Sequence, residues 1–194
     1  MKLIIASNNK HKIREIKAIL GSRFEKILSM AEAGINFETV EDGKTFMENA
    51  RKKAVEMRDI TNCACLADDS GICVDALGGA PGIYSARFAS QNGGNSDDEA
   101  NNDLLLSKLE GITDRGAHYT CAMVIAYPDG REVSAEGYMY GDILTERHGT
   151  GGFGYDPIFK PKGYNCSVGE ITDEEKNKIS HRSKALEALL AKLA

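Results

Sequence analysis

The stretch AHYTCAMVIAYPDGREVSAEGYMY, residues 117–140, decides the fold. Two long strand-like runs flank Pro128-Asp129-Gly130, a turn signal, so the segment reads as a long β-hairpin. Upstream, a short apolar strand is expected over 2–6, followed by a polar turn. A helix comes next, whose stripe of Ile13, Ile16, Ala18, Ile19 and Leu20 stops at Gly21. A second strand is expected over 24–29. Thr45-Phe46-Met47-Glu48 is a capping box, opening a helix with Met47, Ala50, Ala54 and Met57 on one face. Residues 63–67 form a compact buried-type strand ending in Asp68-Asp69-Ser70-Gly71. A further strand over 72–77 and a glycine-rich turn over 78–82 follow. Ser96-Asp97-Asp98-Glu99 caps a helix that runs to Leu109. Thr172-Asp173-Glu174-Glu175 caps a last helix with the stripe Ile179, Leu186, Leu189, Leu190 and Leu193. Helices alternating with strands, plus one long hairpin, predict an α/β protein with a mixed sheet.

The 194 residues suit one domain over 1–194, built as one body or as two lobes. Lys and Arg number 24 against 29 Asp and Glu, a net charge of −5, which disfavours general nucleic-acid binding. A local basic pocket for a small anion is still compatible with that balance. No run approaches the ~18 apolar residues of a membrane span, and residues 3–6 are too short for a signal-peptide core. A cytoplasmic protein without a membrane partner is therefore expected. The cysteines, Cys63, Cys65, Cys73, Cys121 and Cys166, are odd in number and lack a Cys-x-x-Cys pair, so they read as reduced core residues, with a metal site or a catalytic thiol as the alternative.

Five segments carry candidate chemistry. Ser7-Asn8-Asn9-Lys10-His11-Lys12 joins a strand to a helix start, where backbone N–H groups and the helix dipole favour an anion. The plain alternative is a helix N-cap with solvated lysines. Asp68-Asp69 places two adjacent carboxylates at the end of a buried strand, where they repel unless a cation compensates. Mg²⁺ is the usual partner of carboxylate and phosphate oxygens, and a β-turn is the alternative. Glu38 and Glu41-Asp42 are either a solvated acidic loop or, with Asp69, part of a metal site. Lys53 could reach a phosphate if its helix lines a cleft, and is otherwise an ordinary surface lysine.

Gly149-Thr150-Gly151-Gly152-Phe153-Gly154 satisfies G-x-G-x-x-G, but Tyr155-Asp156-Pro157 follows where a dinucleotide fold needs a helix. A loop presenting Phe153 and Tyr155 fits a base-stacking wall better, with a flexible surface turn as the alternative. Lys176, His181 and Arg182 are donors able to read a base oxygen, or else members of a charged helix face.

Together these segments resemble the inosine triphosphate pyrophosphatase family, hydrolases of non-standard purine nucleoside triphosphates. Six blocks occur in the family's order: Ser7-x-Asn9-x-x-Lys12, Thr45-Phe46-x-Glu48-Asn49-Ala50, Ala67 to Gly71, Leu77 to Arg87, Gly149 to Phe159, and Ser180-His181-Arg182. The resemblance implies an elongated mixed sheet with helices forming two lobes around a central cleft, and a homodimer. It implies Mg²⁺-dependent conversion of ITP, dITP or XTP to the monophosphate and pyrophosphate. Ser7, Asn9 and Lys12 would hold the triphosphate, with Lys53 assisting. Asn8, Lys10 and His11 lie in the same loop. Glu41 and Asp69 would hold Mg²⁺, and Asp69 would be the general base. Ser70 would touch substrate, and Phe153 would stack on the base beside Gly154, Tyr155 and Asp156. Lys176, His181 and Arg182 would read the purine edge. Some relatives carry two consecutive acids at Val40-Glu41, so the second metal ligand is Glu41 or partly Glu38.

Overall fold

The computed structural model describes residues 2–21, 23–90 and 96–193. Its strands are β1 (Lys2–Ile5), β2 (Lys26–Ser29), β3 (Ala64–Val74), β4 (Gly116–Ala126), β5 (Glu132–Ile143) and β6 (Phe159–Pro161). Its α-helices are α1 (Lys10–Leu20), α2 (Phe46–Thr61), α3 (Asp98–Lys108), α4 (Asp173–Ile179) and α5 (His181–Ala191). The strands form one sheet in the order β2-β1-β3-β4-β5-β6. β1 pairs in parallel with β2 and β3, and β5 pairs antiparallel with β6, so the sheet is mixed and the fold is α/β. The expected hairpin is present: Gly130 N–H donates to Tyr127 C=O at 3.0 Å and Tyr127 N–H to Arg131 C=O at 2.9 Å.

The chain divides into two compact units. The first comprises Met1–Asp69, Cys121–Gly137 and His181–Ala194, and the second Ser70–Thr120 and Tyr138–Ser180. In the first unit, side-chain alternation along the strands builds two cores. Leu3, Ile5, Ala64, Leu66, Cys121, Met123 and Ile125 pack with Ile16 and Leu20 of α1 and with Leu186 and Leu189 of α5. Ile4, Cys65, Ala67, Ala122 and Val124 face the other way and pack with Ala50, Ala54 and Met57 of α2. Strands buried on both faces show continuous apolar runs, which is why 63–67 and 121–127 read without polar alternation. The second unit has its own core, in which Ile72, Val74, Leu105, Leu109, Tyr119, Ile158 and Phe159 meet. The Phe159 ring stands edge-on to Tyr119, with centroids 4.8 Å apart.

Several boundaries differ from the sequence expectation. β3 runs unbroken through Asp68-Asp69-Ser70-Gly71, so that segment is strand and not turn, and Asp75–Leu77 is a 3₁₀ turn. Asp97, not Ser96, caps α3, because the Ser96 hydroxyl donates to Asn101 Oδ1 at 2.7 Å. Thr45 caps α2 as expected, but the Glu48 carboxylate accepts from Lys44 N–H instead of closing the box on Thr45. The expected last helix is two, broken where Ser180 turns extended at ψ 151°. Serine competes for backbone partners and suits such a break. All five cysteines are free, with Cys65 and Cys121 buried and the other three half-buried.

Candidate active site

The alternation that builds the first unit's two cores also sorts its charges. Residues 64, 66 and 68 share one face of β3, and 65, 67 and 69 the other, so Asp68 and Asp69 point in opposite directions.

On the α1–α5 face, Asp68 Oδ2 lies 2.9 Å from Lys12 Nζ and 3.5 Å from Arg182 Nη2. Arg182, the first unit's largest fully buried side chain at 1% exposure, also pairs with Glu15 of α1. Burial by itself would raise the Asp68 carboxyl, but Lys12, Arg182 and Lys53 outweigh it and hold it well below the usual carboxylate range. The same carboxylates outweigh burial at Arg182 and raise it further.

On the α2 face, Asp69 Oδ2 accepts from Asn49 Nδ2 at 3.0 Å, and Lys53 Nζ lies 3.7 Å from Oδ1. Lys53 also meets Glu41 Oε1 at 2.6 Å. Here burial prevails: the Asp69 carboxyl is pushed above its ordinary value despite Lys53 and Lys12, with Glu41 adding to the rise. Lys53 is raised, since Asp69, Asp68 and Glu41 more than offset its desolvation. A buried carboxylate with a raised pKa beside a specific charge marks a candidate functional group.

Asn49 has no role in the sequence reading, although it stands inside the Thr45–Ala50 block. It is fully buried on α2, and its Oδ1 accepts Gly43 N–H at 2.8 Å while its Nδ2 holds Asp69. One amide thus ties the acidic loop to the candidate base. A Cβ at Gly43 would sit 2.6 Å from Asn49 Oδ1 and would displace that amide.

Glu41 and Asp69 suit a hard cation. Both already converge on the one ammonium of Lys53, and Mg²⁺ binds through one or two carboxylates completed by substrate phosphates and water. Among the described residues no group of three or more His, Cys, Asp or Glu could form an all-protein cage. Glu38 is exposed, and Asp42 pairs with Lys52 at 2.7 Å.

The Ser7–Lys12 segment is shorter as a loop than its sequence suggests, since α1 begins at Lys10. Asn9 is the N-cap, and its Oδ1 accepts from His11 N–H at 3.0 Å and Lys12 N–H at 3.2 Å. The Ser7 hydroxyl accepts Asn9 N–H at 3.2 Å. Ser7, Asn8 and Lys10 line an open recess of about 450 Å³ with Arg14, Lys17 and Glu32. Lys12 instead points to Asp68, and His11 is exposed.

His181 and Arg182 start α5. Gly137 of β5 lets that start approach the sheet, since a Cβ there would collide with the Ala185 N and His181 O backbone atoms. The sequence reading assigned Gly137 nothing, because an isolated glycine inside a strand signals only a possible close approach.

In the second unit, Asp156 organises the glycine-rich loop. Its Oδ2 accepts Phe153 N–H at 2.9 Å and pairs with Lys176 Nζ at 2.7 Å, and Tyr119 OH donates to its Oδ1 at 3.3 Å. The Lys176 ammonium sits 4.3 Å from the Phe153 ring centroid, a cation–π contact that fixes the ring. Tyr155 is buried, and its OH donates to Ser85 C=O at 2.7 Å. Burial, then Asp98, pushes its phenol up. The Phe153 ring is half-buried, and Ser70 on β3 is half-buried also. Only a 3₁₀ turn, Asp156–Ile158, follows the loop, which agrees with setting the dinucleotide motif aside.

An α/β fold built around buried carboxylate–lysine pairs and a lysine-backed aromatic loop is the class of protein seen here. The chain belongs to the Ham1 family, whose model it matches over residues 3–192. It is 47% identical to a dITP/XTP pyrophosphatase of Clostridium perfringens, covering 97% of this chain and 95% of that protein. It is 48% identical to the protein of the same name from Streptomyces coelicolor, with the same coverage. Among solved structures, the Staphylococcus aureus Ham1 protein superposes with a TM-score of 0.87 at 39% identity, covering 100% of this chain and 98% of that one. The Mycobacterium abscessus nucleoside-triphosphatase / dITP/XTP pyrophosphatase gives 0.78 at 42%, covering 98% and 99%.

Proposed function

We propose that this protein hydrolyses non-standard purine nucleoside triphosphates, ITP, dITP and XTP, to the monophosphate and pyrophosphate, and so cleanses the nucleotide pool. The observation that carries the reading is Asp69, a buried carboxylate held by Asn49 and Lys53 with its pKa pushed up. The names of relatives at 47% and 48% identity point the same way. Among the described residues no helix is long and apolar enough to cross a membrane. A cytoplasmic homodimer is part of the same reading.

In this reading Asp69 orients and deprotonates the attacking water, a general-base contribution of roughly 10²–10⁴-fold. Lys12 and Lys53 neutralise phosphate charge, each preset by a carboxylate so that little reorganisation accompanies the reaction. Ser7, Asn8, Asn9, Lys10 and His11 supply donors around the triphosphate. Glu41 and Asp69 would hold Mg²⁺, which when bound supplies charge neutralisation at the phosphates and the leaving group. Phe153 stacks on the base, with Gly154, Tyr155 and Asp156 shaping its surroundings, and Ser70 touches substrate. Lys176, His181 and Arg182 are the donors this reading assigns to the purine edge, where Lys176 is already held by Asp156 and Arg182 by Glu15 and Asp68. Hypoxanthine and xanthine carry an oxygen at C6 where adenine carries an amino group, and each mismatched buried polar group costs ~1–3 kcal/mol. Two such mismatches reject ATP by roughly 10²- to 10⁴-fold.

Pyrophosphate release from ITP, XTP, GTP, ATP and dTTP, each with Mg²⁺ and with EDTA, tests the reading. Release from ITP and XTP that EDTA abolishes, at least about 10²-fold above ATP, is expected. Release centred on dTTP, or binding without release, overturns it.

A further inference from the structure

Helix α3 grips Gly154 of the glycine-rich loop through the two successive peptide groups that flank it. Asp98 Oδ2 accepts Gly154 N–H at 2.7 Å, and Asn102 Nδ2 donates to Gly154 C=O at 3.0 Å. The two side chains are four residues apart and so share one face of the helix. A second tie lies just upstream, where Arg147 Nη2 donates to Asp103 Oδ1 at 2.7 Å and to Glu99 C=O at 3.0 Å. Between these ties runs the glycine-rich segment, which carries the Phe153 ring over Lys176.

The clamped residue matters because of its neighbours. Gly154 adopts φ +64° with nothing within 4 Å of a built Cβ, so its conformation and not its surroundings asks for glycine. A glycine between two aromatic residues is also a loose joint, unless the peptides on either side of it are held. Asn102 is 1% exposed, so a displaced Gly154 carbonyl would strand a buried amide donor. Asp98 and Asn102 therefore bias the loop toward one orientation of the two peptides flanking Gly154, and with it one placement of the Phe153 ring.

We propose that Asp98 and Asn102 are positioning residues that set Phe153 for the purine ring, making α3 a determinant of base affinity. The proposal rests on the reading in which Phe153 stacks on the base. It assigns α3 no contact with phosphate, so its effect falls on ligands that carry a base.

The experiment compares wild type with Asp98→Ala, Asp98→Asn and Asn102→Leu. It measures kcat and KM for ITP, the inhibition constant of inorganic triphosphate, which has no base, and hydrogen exchange of the Gly154 amide in the ligand-free protein. Losing one peptide hydrogen bond should raise KM for ITP about 3- to 10-fold in Asp98→Ala and Asn102→Leu, with kcat within about twofold. The inorganic triphosphate constant should stay put. Asp98→Asn, which keeps an acceptor oxygen, should recover most of the affinity, and Gly154 exchange should accelerate in Asp98→Ala alone of the two. An unchanged KM overturns the proposal, as does a KM that rises in step with the triphosphate constant. If wild type releases pyrophosphate from no purine triphosphate, the functional reading falls by itself. Exchange at Gly154 then decides whether α3 positions the loop: faster in Asp98→Ala supports it, unchanged overturns it.

Discussion

Asn49 on the buried face of α2 donates to the Asp69 carboxylate at 3.0 Å while its own carbonyl oxygen holds the Gly43 amide. The candidate base and the loop bearing Glu41 therefore share one support. With Asp69 as the proposed Mg²⁺ ligand, a residue that orients it is expected to matter by about 10- to 100-fold. Asn49→Leu, similar in volume but without polar atoms, should lower kcat for ITP by about that factor, read by steady-state pyrophosphate release.

Asp69→Asn should fall below a hundredth of the wild-type rate, given the roughly 10²–10⁴-fold worth of a general base. Its circular dichroism spectrum should match wild type, because the replacement keeps shape and burial. A variant retaining more than about a tenth of the rate would remove Asp69 from the base role.

Arg182 offers a stability test. Its guanidinium is buried between Glu15 and Asp68. Breaking a buried pair strands the remaining charge at a cost of about 3–5 kcal/mol. Arg182→Ala should lose stability of that order in urea unfolding.

Glu32 predicts a pH dependence. The hydrogen bond from Lys17, then those from Ser29, draw its carboxyl down from 4.5 to about 2. The folded pKa lies below the unfolded one, so the folded state binds fewer protons and is favoured above pH 4.5. That advantage disappears as pH falls through about 2. The difference in Tm between wild type and Glu32→Gln should be constant above the window and close within it. A difference independent of pH would contradict the assignment.

Gly137→Ala should disturb the start of α5, because the added methyl meets backbone and not a movable side chain. Overpacking of this kind costs about 1–3 kcal/mol. Thermal unfolding should show the loss, and amide exchange should quicken at residues 181–185.

Much of this was legible in the chain. The hairpin over 117–140, the Thr45 and Thr172 caps and the Gly21 stop appear where local rules place them, since each depends on a few neighbouring residues. The α/β class and the family followed from the same segments. The strand through Asp68–Gly71 was not legible. Asp, Ser and Gly carry turn propensity, and only the partners supplied by α1, α2 and α5 make a strand of them. The Glu15–Arg182 pair spans 167 positions, beyond any local pattern. Asn49 and Gly137 were missed for the same reason: their work is done on residues distant in sequence.

The division of labour between the two adjacent aspartates is a matter of parity. Nothing chemical distinguishes their carboxylates, and each takes its environment from whether it sits at an even or odd step along β3. Adding or deleting one residue between Leu66 and Asp68 would exchange their partners, turning Asp69 toward Lys12 and Arg182 and Asp68 toward Asn49 and Lys53. Two residues would restore the order. Length in that short stretch is thus held as tightly as composition, and a frame of single-residue indels would read out the active centre by its odd–even rhythm.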